Sequence, residues 1–221
     1  MKKIMMSGVI AYAVVLLAPE LVQAQGAMTY LSDLDQDSAG SLAVGSDSWL
    51  AVGFNTGTNS SGDTLNSIQL RMADASGTPS GFTAMLYTAF NGQRPVPGSS
   101  LGTLDGSLNP TTAGIYTFTL ASNLTLRGQY FIVLTAGTTV ANGAYEWSYA
   151  GANSYNPSGG WLSQGGVWTF SNGSFGSPYT FTAVPSQFAI NATPIPEPGV
   201  LGLFGFGGLA FLWDRRKAMA G

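Results

Sequence analysis

The amino-acid sequence predicts an all-β domain, folded as a two-sheet, jelly-roll-like β-sandwich. Charged residues make up only 9% of the chain, and glycine supplies 30 of its 221 residues. Long helices draw on Glu, Lys and Arg, whereas glycine suits frequent turns, so this composition favours short strands. Apolar residues also recur with the period of two that marks a strand with one buried face.

The N-terminal segment 1–24 has the layout of a secretory signal peptide. Two lysines form a basic head, and an uncharged apolar run follows over residues 4–18. That run is short for a lasting membrane span, so we expect cleavage between Ala24 and Gln25, with an uncleaved anchor as the alternative. Residues 25–41 are then expected to be a flexible start of the mature chain.

The predicted sandwich spans residues 42–193 and contains about eight short strands separated by turns. One run, YFIVLTA, is apolar on both faces and is therefore expected at the centre of a sheet. A tight turn is predicted at Asn91 and Gly92. The other predicted strands are SWLAVGFNTG, TLNSIQLRMA, FTAMLYTAF, GIYTFTLAS, AYEWSYA, GVWTFS and SQFAINAT.

The C-terminal segment 194–221 has the layout of a second targeting element. A helix over its uncharged run, 199–213, would be about 22 Å long, which is short for a hydrocarbon core of about 30 Å. Basic residues stay on the cytoplasmic side of a membrane, so both ends of the chain are expected to remain inside while the part between them is exported. The run is flanked by the triplet Pro196, Glu197 and Pro198 and by the basic cluster Arg215, Arg216 and Lys217.

The stretch IPEPGVLGLFGFGGLAFLWDRRKA, from Ile195 to Ala218, has a Pro-Glu-Pro motif, a short apolar segment and a basic tail in that order. It resembles PEP-CTERM sorting signals. The resemblance implies that an exosortase, a membrane cysteine protease-transpeptidase, recognises the triplet and removes the tail, while the basic cluster acts as a cytoplasmic retention signal. It also implies a Gram-negative bacterium that makes extracellular polysaccharide. A C-terminal anchor that is never processed is the alternative.

Five stretches in the body of the chain carry a second resemblance. They are GSLAVGSDSWLAVGFNTG, which begins at Gly40, TLNSIQLRM, GIYTFTLASNLTLRGQYFIVLTAG, AYEWSYA and GGW, and the resemblance spans roughly residues 42–192. Together they resemble the choice-of-anchor R domain. The resemblance implies a surface-exposed, β-rich module joined to a sorting tail, and it brings no catalytic residues with it.

The composition excludes several functional classes. The chain has no histidine and no cysteine, so it cannot build a Ser-His-Asp triad, a disulfide, or an imidazole or thiolate metal site. Acidic residues outnumber basic ones in the body of the chain, so we expect no nucleic-acid partner. Asp33, Asp35 and Asp37 alternate as in a calcium loop, but Ser38 and Val44 stand where an EF-hand needs glycine and glutamate. We therefore expect a solvated stretch here, with no metal and no cofactor.

Aromatic residues are the candidate sugar-binding groups, because flat rings can stack on the C–H groups of sugars. Tyr145, Trp147 and Tyr149 alternate along one predicted strand, a pattern more typical of a buried sheet face. Trp161 follows two glycines and lies between predicted strands, so we expect it to be exposed. Trp161 and Tyr155 are therefore the predicted sugar-stacking residues.

An enzymatic function would require a pair of carboxylates, as in glycosidases. Glu146 is the single glutamate of residues 25–193, and it alternates with Tyr145 and Trp147, so it is expected on the opposite face of its strand. Its partner would have to be an aspartate that the sequence does not identify. We therefore expect a protein that is not an enzyme, and a glycan-active enzyme is the least favoured alternative.

The sequence favours an exported surface or extracellular-matrix protein with a structural or adhesive role in a biofilm or floc. Its expected partners are the Sec export machinery and an exosortase, with transient insertion into the inner membrane through residues 199–213. A carbohydrate-binding module for extracellular polysaccharide is the principal alternative.

Overall fold

The computed structural model describes residues 26–90, 96–152, 155–171, 175 and 179–196. The strands belong to one compact unit, Ala27–Ile195, and a single turn of 3-10 helix, Val140–Asn142, precedes the tenth strand. In chain order the strands are β1 (Met28–Ser32), β2 (Ser38–Val44), β3 (Trp49–Asn55), β4 (Asp63–Gly77), β5 (Thr83–Phe90), β6 (Val96–Asp105), β7 (Gly114–Leu120), β8 (Thr125–Leu126), β9 (Gln129–Thr135), β10 (Gly143–Ala150), β11 (Asn156–Pro157), β12 (Leu162–Phe170), β13 (Tyr179–Thr182) and β14 (Phe188–Pro194).

Hydrogen bonds join these strands into one curled antiparallel sheet. Its main path runs β11-β1-β14-β4-β7-β6-β5-β9-β3-β12-β13, while β10 pairs with β2 and β4, and β8 pairs with β4. The path passes from one half to the other through β6 and β7, where Leu104 and Asp105 pair with Leu120 and Thr119. We call β11-β1-β14-β4-β7 with β2, β8 and β10 the first layer, and β6-β5-β9-β3-β12-β13 the second layer.

The main hydrophobic core receives side chains from both layers. Val52 and Ile132 enter it from the second layer, and Ile68 enters it from the first. Phe82, next to β5, packs edge-on against Tyr145 of β10 at 5.0 Å between ring centroids. The all-β prediction is confirmed. The sandwich, however, consists of one sheet that curls over its own core, because the β6–β7 pairing keeps its two halves connected.

Strand β9 has the central position that its sequence predicts. It pairs with β3 on one side and with β5 on the other. Ile132 and Leu134 face the main core, whereas Phe131 and Val133 belong to a second buried cluster on the opposite face. The apolar residues on the two faces of β9 are thus buried on both faces.

The expectation of a flexible stretch over residues 25–41 is wrong for its described part. Strand β1 lies between β14 and β11, and β2 pairs with β10. Leu31 and Asp33 are fully buried. Few residues here are apolar, so periodicity gave no signal, and the strands are held by backbone hydrogen bonds to distant partners instead.

Strand β6 was also missed, because Pro97, Gly98 and Gly102 read as turn residues. Its pairing with β5 contains register shifts, and its first residues face no strand on the side away from β5 within the described chain. Proline is tolerated at such an open edge because no neighbouring strand needs its N–H. The turn predicted at Asn91 and Gly92 lies outside the described residues.

The described residues include no helix that is long and apolar enough to cross a membrane. The predicted signal peptide, 1–24, and the predicted transmembrane segment, 199–213, both lie outside the described part of the chain.

Candidate functional site: the chain exit and an outer aromatic cluster

The predicted sorting residues begin where the described chain ends. Pro196 is described and exposed. The other predicted sorting residues and the predicted signal-peptide cleavage site lie outside the described residues: Glu197, Pro198, Arg215, Arg216, Lys217, Ala24 and Gln25.

The strand that leads to this point, β14, is an internal strand of the first layer. It pairs with β1 on one side and with β4 on the other, and Ile190 and Ala192 are fully buried. The last residues in register with β4 are Thr193 and Pro194, the latter opposite Asp63. The chain is thus held in the sheet up to Pro194.

A small hydrogen-bonded turn holds the next residue, Ile195. The N–H of Ile195 donates to the carbonyl oxygen of Gly62 at 3.1 Å. The Asn59 amide nitrogen donates to the carbonyl oxygens of Gly62 at 2.6 Å and Ile195 at 3.3 Å, and to Oδ1 of Asp63 at 3.2 Å. We call Asn59, Gly62, Asp63 and Ile195 the exit clasp.

The exit clasp rests on the folded domain. The hydroxyl of Tyr30 donates to Oδ1 of the buried Asp63 at 3.0 Å. Burial, and then this contact with Asp63, raises the pKa of Tyr30 to about 12. Gly62 has φ 82°, and a side chain there would collide with Thr125 and Arg127, so glycine is required on both counts.

Trp161 lies behind the exit clasp in the core, so the prediction that it is exposed is wrong. Its exposed fraction is 0%. The indole ring stacks between Tyr30, at 4.8 Å, and Phe54, at 5.8 Å. Gly159 and Gly160 have φ of 59° and 77°, and they turn the chain back so that the side chain points inward.

Tyr155, the second predicted sugar-stacking residue, is half-buried. Its hydroxyl donates to the carbonyl oxygen of Ser186 at 2.8 Å, and its ring packs on Phe188 at 5.3 Å. Burial raises its pKa above the ordinary tyrosine value, and the nearby Asp33 carboxyl adds to that shift. Both ends of this side chain contact the fold, so it does not present a ring face as a free platform would.

The aromatic residues of β10 are core residues, as their alternation predicts. Tyr145 and Trp147 are fully buried, whereas Tyr149 is half-buried. The hydroxyl of Tyr145 donates to Oδ1 of Asn109 at 2.8 Å. The indole N–H of Trp147 donates to the carbonyl oxygen of Gln187 at 3.1 Å. Buried polar ends of aromatic residues usually find such partners.

Glu146 lies on the other face of β10, where the pattern places it. Its carboxylate accepts hydrogen bonds from the hydroxyls of Ser41 on β2, at 2.8 Å, and Ser76 on β4, at 3.4 Å. These contacts tie together three neighbouring strands. In the described part of the chain, no three residues of metal-ligating type come together as a cation site would require.

Asp33 was expected in a solvated stretch, but it is enclosed between β1 and β14. The N–H of Phe188 donates to its Oδ1 at 2.9 Å. Its Oδ2 has no hydrogen-bond partner among the described residues. Burial raises the pKa of this carboxyl to about 7. The backbone hydrogen bonds oppose that shift, Asp35 adds to it and Arg71 weakens it.

A group of aromatic side chains on the outer face of the second layer was not predicted. Phe175 lies at its centre, with edge-on contacts to Trp49 at 5.6 Å, Tyr87 at 4.9 Å and Phe170 at 5.2 Å. Trp168 extends the group through ring contacts with two residues of β13. We call these residues the outer aromatic cluster: Trp49, Tyr87, Trp168, Phe170, Phe175, Tyr179 and Phe181.

The outer aromatic cluster is only partly shielded from water. Phe181 is 47% exposed and packs over Trp168 at 4.6 Å. Asp105, at the end of β6, is the one charged residue in the described strands of the second layer. The sequence signal was present in β3, where Trp49 and Ala51 are apolar as well as Leu50 and Val52, since a strand that is apolar on both faces predicts two covered faces.

Comparison with known proteins agrees with the predicted sorting signal. Residues 194–217 match the family model of the PEP-CTERM protein-sorting motif. No curated protein and no solved structure matches the chain, so the choice-of-anchor R resemblance of residues 42–192 stays a prediction. The match begins at Pro194, which is the last residue of β14. The chain therefore carries a PEP-CTERM sorting motif, which implies an exported protein that an exosortase processes and that is sorted to the cell envelope.

Proposed function

We propose that this protein is a structural or adhesive component of the cell surface or extracellular matrix of a Gram-negative bacterium. In this proposal the Sec machinery exports it, the tail inserts transiently in the inner membrane, and an exosortase then removes the tail. The observation that carries the proposal is the sorting motif, which begins at the last residue of the last strand of a compact β-domain. After removal of the tail, the β-domain is the part of the protein that is delivered to the cell envelope.

A non-catalytic role is supported by what the acidic side chains do. Glu146 binds two serines on neighbouring strands, and Asp63 holds the exit clasp. Asp47 accepts a hydrogen bond from the N–H of Val140 at 2.8 Å. These carboxylates stabilise turns and strand pairs, which is a structural use.

The outer face of the first layer suits a hydrated matrix. Thr29 donates to Asn191 at 2.6 Å, and Asn191 donates to Ser67 at 3.0 Å. Gln69 donates to Thr117 at 3.3 Å. These uncharged hydroxyl and amide groups therefore link four strands, β1, β14, β4 and β7, and such groups can exchange hydrogen bonds with water or with neutral polysaccharide.

The sorting proposal is tested by intact mass measurement on protein recovered from the producing cells. We expect a product that has lost both terminal segments, and we expect a Glu197→Ala variant to keep its C-terminal tail, because the recognition triplet is then incomplete. Asp214→Asn is the matched control, since it changes a charge in the same tail outside the triplet. A Glu197→Ala product of normal, shortened mass would contradict the proposal.

Binding of extracellular polysaccharide is a second candidate function, favoured by the outer aromatic cluster. Partly exposed rings in a layer with almost no charge suit a neutral sugar surface. The predicted residues Trp161 and Tyr155 do not provide this surface, whereas Phe181 and Trp49 do.

Titration calorimetry with the producer's own polysaccharide tests this candidate. We expect Phe181→Ala to weaken binding about fivefold, the effect of losing one ring contact of roughly 1 kcal/mol. Ile115→Ala is the control, since Ile115 is equally exposed, at 49%, but lies in the first layer. Absence of binding heat in the unaltered protein, or equal affinity of both variants, would exclude the cluster as a sugar site.

A further inference from the structure

We infer that the exit clasp decides where the chain can be cut. While the domain is folded, only peptide bonds on the C-terminal side of Pro196 are available to the exosortase, and Asn59 is the positioning residue that holds this limit. The inference rests on the proposed sorting function, and it adds the position of the cut and the part of the fold that sets it.

The backbone groups at the end of the chain determine what a protease can bind. A protease binds its substrate as an extended strand, and the backbone N–H and C=O groups of that strand must be available to the enzyme. From Phe188 to Pro194 the backbone of β14 is paired with β4, and most of it is also paired with β1. Both backbone groups of Ile195 are also bonded, because its N–H donates to Gly62 and its C=O accepts from Asn59.

Pro196 is exposed and, as a proline, it has no N–H that could bond to the fold. The backbone therefore changes from fully bonded at Ile195 to exposed at Pro196. The triplet that the sorting signal requires begins at the same residue, so the boundary of the fold and the boundary of the recognition element coincide.

The exit clasp holds the carbonyl oxygen of Ile195 by one long hydrogen bond. The amide group of Asn59 has two hydrogens for three acceptors, and its longest contact, 3.3 Å, is the one to Ile195. The hydrogen bond from Asn59 to Ile195 is thus weaker than the backbone hydrogen bonds between β14 and β4. Opening of the end of a strand is a local event, and losing one hydrogen bond favours the open form by about fivefold.

The cleavage itself breaks one peptide C–N bond. The carbonyl carbon forms a thioester with the cysteine of the exosortase, and the released nitrogen takes up a proton and leaves with the tail. Water or an amine acceptor then displaces the cysteine. The fold contributes no chemical group to this step, because the exit clasp only determines which carbonyl carbons can reach the enzyme.

The test is cleavage of the full chain in cells that contain the exosortase, followed by C-terminal mass mapping. We expect the unaltered protein to end at Pro196 or later. We expect Asn59→Ala to give about fivefold more product that ends at Ile195 or earlier, because the open form of the chain end is more populated. Asn66→Ala is the matched control: Asn66 joins β4 to β14, through Thr193 at 2.9 Å, but it does not contact Ile195, so the C-terminal ends of its products should be unchanged.

A second arm does not need the exosortase. The full chain is treated with a non-specific protease, and the C-terminal end of the resistant fragment is mapped. We expect this fragment to retain Ile195 in the unaltered protein and in Asn66→Ala, and to lose it in Asn59→Ala. In the unaltered protein, a resistant fragment that lacks Ile195 or a cellular product that ends at or before Ile195 overturns the inference, and so does identical behaviour of the two variants. A chain that is never shortened in cells, yet is protected as described, contradicts only the sorting function.

Discussion

At the residue scale, Asp33 shows how a single buried group makes stability depend on pH. Its pKa is 3.8 in an unfolded chain and about 7 in the fold, because burial disfavours the carboxylate. Between these values the unfolded chain has released the proton and the folded chain still holds it. The free energy of unfolding therefore falls as the pH rises from about 4 to about 7, and it levels off above that window.

Urea unfolding at a series of pH values measures this effect. We expect the Asp33→Asn variant, which cannot ionise, to lose most of the decline between pH 4 and 7 and to be more stable than the unaltered protein at pH 8. Asp105→Asn, at an exposed position, should keep the decline. A flat profile for the unaltered protein, or the same decline in Asp33→Asn, would show that Asp33 is not the group responsible.

Trp161 marks the limit of sequence reasoning at this scale. The alternation of Tyr145 and Trp147 identified them as core residues because period and burial are directly linked in a strand. Trp161 stands outside a strand and after two glycines, so no period applied to it. Its burial depends on the left-handed conformation of those glycines, and the sequence permits that conformation without requiring it.

At the scale of elements, β1 is the clearest test of the fold. Leu31 is fully buried and pairs with Ile190 of β14 and with Pro157 of β11. We expect the amides of β1 to exchange with solvent at least 100-fold more slowly than those of a flexible chain start, roughly the protection of an internal strand. Hydrogen exchange with mass spectrometry measures this directly.

A pair of substitutions complements the exchange measurement. Leu31→Ala should lower the free energy of unfolding by about 2–4 kcal/mol, because it leaves a cavity in the core. Met28→Ala, at an exposed position of the same strand, should change it by less than about 0.5 kcal/mol. Rapid exchange across β1, or equal stabilities of the two variants, would support the sequence-based expectation of a flexible chain start and contradict the paired strand.

The strands that could be predicted are those with a strong local pattern. Strand β9 was placed centrally from its two apolar faces, and β3 was recognised from its alternation. Strands β1 and β11 were not, because their pairing depends on partners far away in the chain. Strand β6 pairs with its neighbours in sequence, but it contains a proline and two glycines. Proline and glycine can be assigned to a strand only when the edges and the register of the sheet are known.

At the scale of the whole molecule, the two layers differ in what they present to the outside. The first layer presents hydroxyl and amide groups linked across strands, such as Thr29 with Asn191. The second layer presents aromatic rings, among them Phe181. A chain with 9% charged residues cannot stay hydrated through charge alone. The polar face of the first layer can therefore keep the domain hydrated and leave the aromatic face of the second layer for contact.

The position of the sorting motif relates this architecture to its processing. All described strands lie between Met28 and Pro194, and the compact unit ends at Ile195. A cut on the C-terminal side of Ile195 leaves each of these strand pairs intact, whereas a cut within β14 would remove the partner of both β1 and β4. The exit clasp lies next to β14, so a cut just beyond it removes the tail and leaves the first layer closed, whereas a cut nearer the N-terminus would open that layer. This arrangement allows the domain to fold before cleavage and to keep the same structure afterwards.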